Sequence, residues 1–306
     1  MRGVKRKTNQ QLFWQLILII ALTACTKLNP NGPEVMESPV ADLATEVSVT
    51  PTLPEPTMTP LPAVAIVNGE RISLIGFERE VERYLIAQEA LGVEDPDQAD
   101  ARETVLNDLI DQVLLAQGAR EAGIEFSDAE VQARLEQLAE EVDLDGWMAA
   151  WGYTQDELLE SLHLQMLVAN QHERIADTIP EAVDQVELRQ VLALTAEGAK
   201  RALGKLNADA PFEEVAFEFS PETGGYLGWV PRGYLLIPIV EEAVFDLTVG
   251  SYTDIIESEI GYHIVLVIDR EVRPLSADAR ITLTRQALFD WLDEHRATSV
   301  IEVLID

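Results

Sequence analysis

Near residue 186 the spacing of apolar side chains changes, and that change divides the chain into two kinds of structure. Between residues 63 and 180, apolar residues recur three and four apart, the period of one helix face. Val105, Leu109, Val113 and Ala116 form such a row. From Val186 the period becomes two: Val186, Leu188, Gln190, Leu192 and Leu194 fall on one side of an extended strand. A chain of 306 residues with 47% apolar content can bury a core in each part. The expected class is therefore α+β, with a helical domain over 63–180 and a domain with a small antiparallel sheet over 186–271.

Local signals set the helices of the first part. Val64-Ala65-Ile66-Val67 reads as a short strand, and Asn68-Gly69 as a tight turn. Ser73 caps a helix carrying Phe77, Val81, Tyr84 and Leu85. A second helix runs from about Gln98 to Ala122, where Gly123 ends it. Ser127 with Glu130, and Thr154 with Glu157, are capping boxes that open two more, and Pro180 is a stop. Trp147 and Trp151, four apart, form either packing or a client-binding surface.

In the second part the strand from Val186 is followed by helices over about 196–206 and 211–219, then a turn at Gly224-Gly225. A short strand carries Leu227 and Trp229, and Pro238 opens a helix. Strands are expected over Tyr252–Glu257 and Tyr262–Ile268. Residues 272–306 read as a helix from Ala277 to His295 and a strand over 299–304. That last strand and the lone strand at Val64 each lack a partner. The two are expected to pair, returning the C-terminal helix and strand to the N-terminal domain.

The N-terminal end fixes a compartment. Arg2, Lys5, Arg6 and Lys7 precede an apolar stretch from Leu12 to Leu22, which is too short for the roughly 20 residues of a membrane span. Residues 1–24 thus read as a secretory signal peptide. Leu22-Thr23-Ala24-Cys25 resembles the bacterial lipobox, which implies lipidation of Cys25, the single cysteine of the chain. Residues 25–62 hold eight of the fifteen prolines and no apolar period, and read as a spacer able to reach on the order of 100 Å. The expected location is the outer face of a bacterial cell membrane.

Net charge is −32, and the basic leader leaves about −36 for the remainder. Such a surface repels phosphate backbones and anionic headgroups, so nucleic acid is not an expected partner and membrane contact falls to the acyl anchor. It either maintains solubility or attracts basic clients. His163, His172, His263 and His295 show no metal-ligand spacing, and no phosphate loop appears. No metal or other cofactor is expected.

Several blocks carry a family resemblance. Phe212 to Ser220 is similar to the "F..lA..yS" helix of parvulins, and Gly224-Gly225-Tyr226-Leu227-Gly228-Trp229 to their "GGDLGW". Gly261-Tyr262-His263-Ile264-Val265 matches "GYHII", in the same order and spacing. Residues 63–180 resemble the helical region of the exported foldases SurA and PrsA, whose "VNGE" start is similar to Val67-Asn68-Gly69-Glu70. The resemblance implies a peptidyl-prolyl cis–trans isomerase and chaperone acting on unfolded, proline-containing exported polypeptides. It places His263 at the second family histidine, with Leu227, Leu236 and Val240 around the proline. Gln190 stands where the family has its first histidine, and Glu222 aligns with the family cysteine or aspartate. Glutamine donates and accepts hydrogen bonds but does not titrate. Two readings follow: a working isomerase, or a holdase that grips clients with a catalytically silent parvulin unit.

Overall fold

The computed structural model describes residues 62–305. The expected signal peptide, the expected lipidation site Cys25 and all but the last residue of the expected spacer lie outside the described residues. Two compact units result: one runs to Asn170 and takes back the chain from Thr298, and the other spans Gln171–Ala297.

In the first unit β1 (Ala63–Val67) is the middle strand of an antiparallel sheet, between β2 (Glu70–Ser73) and the C-terminal β7 (Ile301–Val303). The expected pairing is present: Ala65 faces Val303 and Val67 faces Ile301. A central position explains why Val64, Ala65 and Val67 are fully buried. Asn68 secures the join. Its amide donates to Gln117 Oε1 and Ser299 Oγ, and its Oδ1 accepts from the Val300 amide at 2.9 Å.

Five helices follow: α1 (Leu74–Ala90), α2 (Gln98–Glu121), α3 (Asp128–Glu141), α4 (Leu144–Trp151) and α5 (Gln155–Ala176). Each begins where a side chain satisfies an otherwise orphan amide. Ser73 Oγ accepts from Gly76, Asp97 from Ala99 and Asp100, and Asp143 from Gly146. Both capping boxes are formed: Glu130 reaches back to the Ser127 amide at 2.7 Å, and Glu157 to the Thr154 amide at 3.0 Å. Trp147, half-buried on α4, stacks on Tyr153 with ring centroids 5.1 Å apart.

The second unit is built on two long strands, β3 (Ala182–Ala193) and β6 (Gly261–Pro274), paired from Ala182–Pro274 to Ala193–Tyr262. With β4 (Tyr226–Pro231) and β5 (Ile256–Ser258) they make an antiparallel sheet of order β4-β3-β6-β5. One face carries Val186, Leu188, Val265 and Val267 against α8 (Pro238–Asp246), which contributes Val240, Val244 and Phe245. The other carries Val191 and Ile264 against α6 (Ala196–Leu206) and α7 (Phe212–Phe219).

The expected strand at Tyr252–Glu257 is mostly absent. Tyr252 makes one isolated bridge to Leu266, and regular pairing begins only at Ile256. The cause is Thr253, buried, whose hydroxyl accepts the Val265 amide at 3.0 Å in place of a backbone carbonyl. Helix α9 (Ala277–Thr298) counts with the second unit up to Ala297. Arg280 holds the carbonyls of Ile179 and Pro180 there, and Tyr234 donates to Asp278. The element that returns to the first unit is β7.

Candidate functional site

The alternation of β6 puts His263 on the same face as Val265 and Val267, the face covered by α8. Its cross-strand partners are Leu192 on β3 and Ile256 on β5. Two glycines make this arrangement possible. A Cβ on Gly261 would lie 2.7 Å from the Ala193 carbonyl oxygen, so glycine lets the hairpin tip close onto β3. Gly225 has φ 70°, and a Cβ there would lie 2.0 Å from the Gln190 carbonyl oxygen. The Gln190 amide in turn donates to the Gly225 carbonyl at 2.8 Å. The double-glycine turn is thereby held against the strand position that carries Gln190.

The result is a short polar chain within an apolar unit. His263 is 2% exposed. Its Nε2 lies 2.7 Å from Ser258 Oγ, and its Nδ1 lies 3.4 Å from Gln190 Oε1. Burial holds the imidazole pKa below its ordinary 6.5, so the ring is neutral at pH 7. A neutral ring has one N–H, and the serine hydroxyl has one proton. Two arrangements satisfy both. In one, Ser258 donates to Nε2 and Nδ1–H donates to Gln190 Oε1. In the other, Ser258 donates to the Gly261 carbonyl 3.2 Å away, Nε2–H donates to Oγ, and Gln190 presents its NH₂ to Nδ1. The two differ in imidazole tautomer, in the Ser258 hydroxyl rotor and in the orientation of the Gln190 amide, and in both the chain carries no ion.

Residues 183–269, which contain this chain, match the PPIC-type PPIase domain family, and residues 59–156 match the SurA-like N-terminal domain family. The second unit holds a PPIC-type parvulin domain. Among relatives, the foldase protein PrsA of Halalkalibacterium halodurans is 28% identical over 194 residues, covering 55% of this chain and 58% of that protein. The chaperone SurA of Ralstonia nicotianae is 28% identical over 267 residues, covering 72% of this chain and 53% of that one. The chain thus spans just over half the length of these curated relatives. The crystal structure of the peptidylprolyl isomerase PrsA from Bacillus cereus aligns at 18% identity and a TM-score of 0.45, covering 78% of this chain and 90% of that one.

Within the parvulin domain, the structure brings His263 and Gln190 together. Glu222 is exposed in the loop before Gly224. Val240 is 4% exposed and belongs to the core under α8, whereas Leu236, in the loop before that helix, is 94% exposed. Leu227 on β4 is 38% exposed. Ser258 and Thr253 were not read from the sequence. The available signal for Ser258 is its place just before the two-residue turn Glu259-Ile260, on the strand that returns to the histidine. Among the described residues no helix is long and apolar enough to cross a membrane.

Proposed function

We propose that the chain is a peptidyl-prolyl cis–trans isomerase and chaperone for unfolded exported polypeptides, carried at the membrane surface by a lipid on Cys25. The observation that carries the reading is the neutral chain Gln190–His263–Ser258, centred on the buried histidine, in a PPIC-type domain.

Rotation about an Xaa-Pro bond breaks no covalent bond. It must lose amide resonance, at a barrier of about 18–20 kcal/mol. A catalyst needs only to bind the twisted amide better than the planar one. Twisting localises a lone pair on the proline nitrogen and reduces the polarity of the amide. A dry apolar surface therefore favours the twisted form, and a neutral hydrogen-bond partner that reorients with it adds to the effect. His263 with two exchangeable partners provides such a group, and Gln190 keeps it in register without supplying a charge. Uncatalysed isomerisation takes tens to hundreds of seconds, long enough to limit the folding of an exported chain.

A second reading, a holdase with a silent parvulin unit, is favoured by Gln190 in a histidine position and by the outward Leu236. One assay separates the two. The full chain is expected to accelerate isomerisation of a short Xaa-Pro peptide, and His263→Ala to remove most of that acceleration. No acceleration, from protein that still suppresses aggregation of an unfolded client, makes the holdase the correct reading. Lipidation is tested by fatty-acid labelling in cells: label should follow the wild-type chain and be absent from Cys25→Ala.

A further inference from the structure

The first unit contains a groove that isomerase chemistry does not use. Helices α1, α2 and α5 leave between them a cavity of about 260 Å³. Its floor is apolar: Phe77 and Val105 are buried there, with Leu109 and Leu164 beside them. Its walls are charged. Glu80, Asp108, Glu157 and Glu160 face it, against Arg79 and Arg83, an excess of two negative charges.

The two arginines are already engaged. Arg79 pairs with Glu157. Arg83 is 7% exposed; it donates to Glu80 at 2.5 Å and to the Trp151 carbonyl at 3.0 Å, and its guanidinium lies 3.4 Å from the centre of the Tyr153 ring. Neither offers a free positive charge to a ligand. Glu160 stands exposed at the rim, with no ion pair among the described residues.

We propose that this groove binds a lysine or arginine side chain of an unfolded client segment. The aliphatic stem lies on Leu109 and Leu164 above the buried Phe77, and the cationic head meets Glu160 at the water-exposed rim. Long basic side chains bury their stems and keep their heads wet, which is the chemistry this floor and rim present. The volume lies below the roughly 300–1,000 Å³ of ligand pockets and suits one side chain better than a cofactor. An acidic side chain is repelled by the rim. An apolar one gains the floor but nothing from the carboxylates. The net charge of −32 steers basic segments toward the whole surface, and the groove adds a place to hold them.

The inference rests on the chaperone part of the function proposed above and is independent of the isomerase part. Its test uses the full chain and a fluorescent, unstructured, proline-free peptide with one central lysine among leucines. A matched peptide carries norleucine, which keeps the stem and removes the charge. At about 50 mM salt, where screening is weak, anisotropy should show the lysine peptide bound roughly two- to fivefold more tightly, the range of one exposed ion pair. Glu160→Gln should reduce that preference. Gly76→Trp should abolish binding by filling the groove from α1: a Cβ at Gly76 meets only ordinary contacts, 3.6 Å from the Ser73 Cβ. Gly76→Ala is the control and should leave binding intact.

Equal affinity for the lysine and norleucine peptides overturns the proposal, as does a lysine preference that survives Glu160→Gln unchanged. Suppression of aggregation of an acidic, lysine-free client separates the two levels. If it persists while the lysine preference is absent, the groove assignment fails and the chaperone reading stands. If both are absent, both fail.

Discussion

Among the described residues each unit buries one titratable side chain, Arg83 in the helical unit and His263 in the other, and the two are satisfied in opposite ways. In the helical unit Arg83 is charged and surrounded. Glu80 accepts from it, the carbonyls of Trp151 and Gly152 at the end of α4 accept from it, and Tyr153 lies against its face. Those carbonyls have no intrahelical partner, so the arginine finishes a short helix that no fully buried residue anchors. The same cluster pushes the Tyr153 pKa up, through burial first and the Glu80 charge second. In the parvulin unit His263 is neutral, touches two neutral partners, and has two ways to share its protons. A charged cluster with a single arrangement fixes structure. A neutral chain with two arrangements can respond to a substrate.

The contrast makes measurable demands, the largest on Arg83. Arg83→Ala leaves two helix-end carbonyls without their donor and Glu80 with the Tyr153 hydroxyl alone. It should cost about 2–3 kcal/mol of stability, from two unsatisfied carbonyls and the lost packing of the guanidinium, since the remaining Glu80 is partly exposed. Thermal melting of the full chain should register it, and a loss under about 1 kcal/mol would mean that water replaces the guanidinium easily.

Acid should act on the other unit. Because burial lowers the pKa of His263 in the folded state, the unfolded chain binds the proton first. Stability is then fully present above about pH 6.5 and declines as pH falls below it. The slope is at most about 1.4 kcal/mol per pH unit for each such histidine. His172 on α5, also held low by burial, adds in the same direction. Chemical denaturation from pH 8 to pH 5 reads the slope, and His263→Asn should flatten part of it. Isomerisation should be level between pH 7 and 8. A rise in activity on acidification would require a protonated ring and would break the comparison.

Gln190→Ala should slow isomerisation about tenfold, or about 1.4 kcal/mol in the barrier, while leaving melting nearly unchanged. Gln190→His should preserve the rate. The smallest effect belongs to Thr154→Ala, which removes the cap of α5 and should cost about 1 kcal/mol. A larger loss would mean that the cap also positions Glu157 for its contact with Arg79.

The helical unit was legible because its signals are local. Ser73, the Ser127–Glu130 box and the Thr154–Glu157 box act within four residues, and each starts a helix where expected. The pairing of β1 with β7 was also legible, since two strands without neighbours need each other. What escaped depends on side chains meeting across distance. β6 extends to Pro274 although its last residues are polar, because Gln185 donates to the Arg273 carbonyl and Arg270 pairs with Asp184. Hydropathy has no access to such pairs. Thr253 interrupts a segment whose alternation reads as a strand, because one hydroxyl takes a ladder amide. In the site, His263 and Gln190 came from motif positions, and the structure places them side by side. Ser258 needed the hairpin before its relation to the histidine became visible.

The place of β7 has a consequence for the order in which the protein is made. Asn68 and Val300 are joined by a hydrogen bond across 232 positions. Chains emerge N-terminus first. During synthesis β1 therefore waits with one side unpaired while every residue of the parvulin unit passes by. Such distant closure is slow, and an open strand edge is a target for mispairing. A protein proposed to guard unfinished chains thus spends its own emergence as one, and its sheet closes only when its last strand arrives.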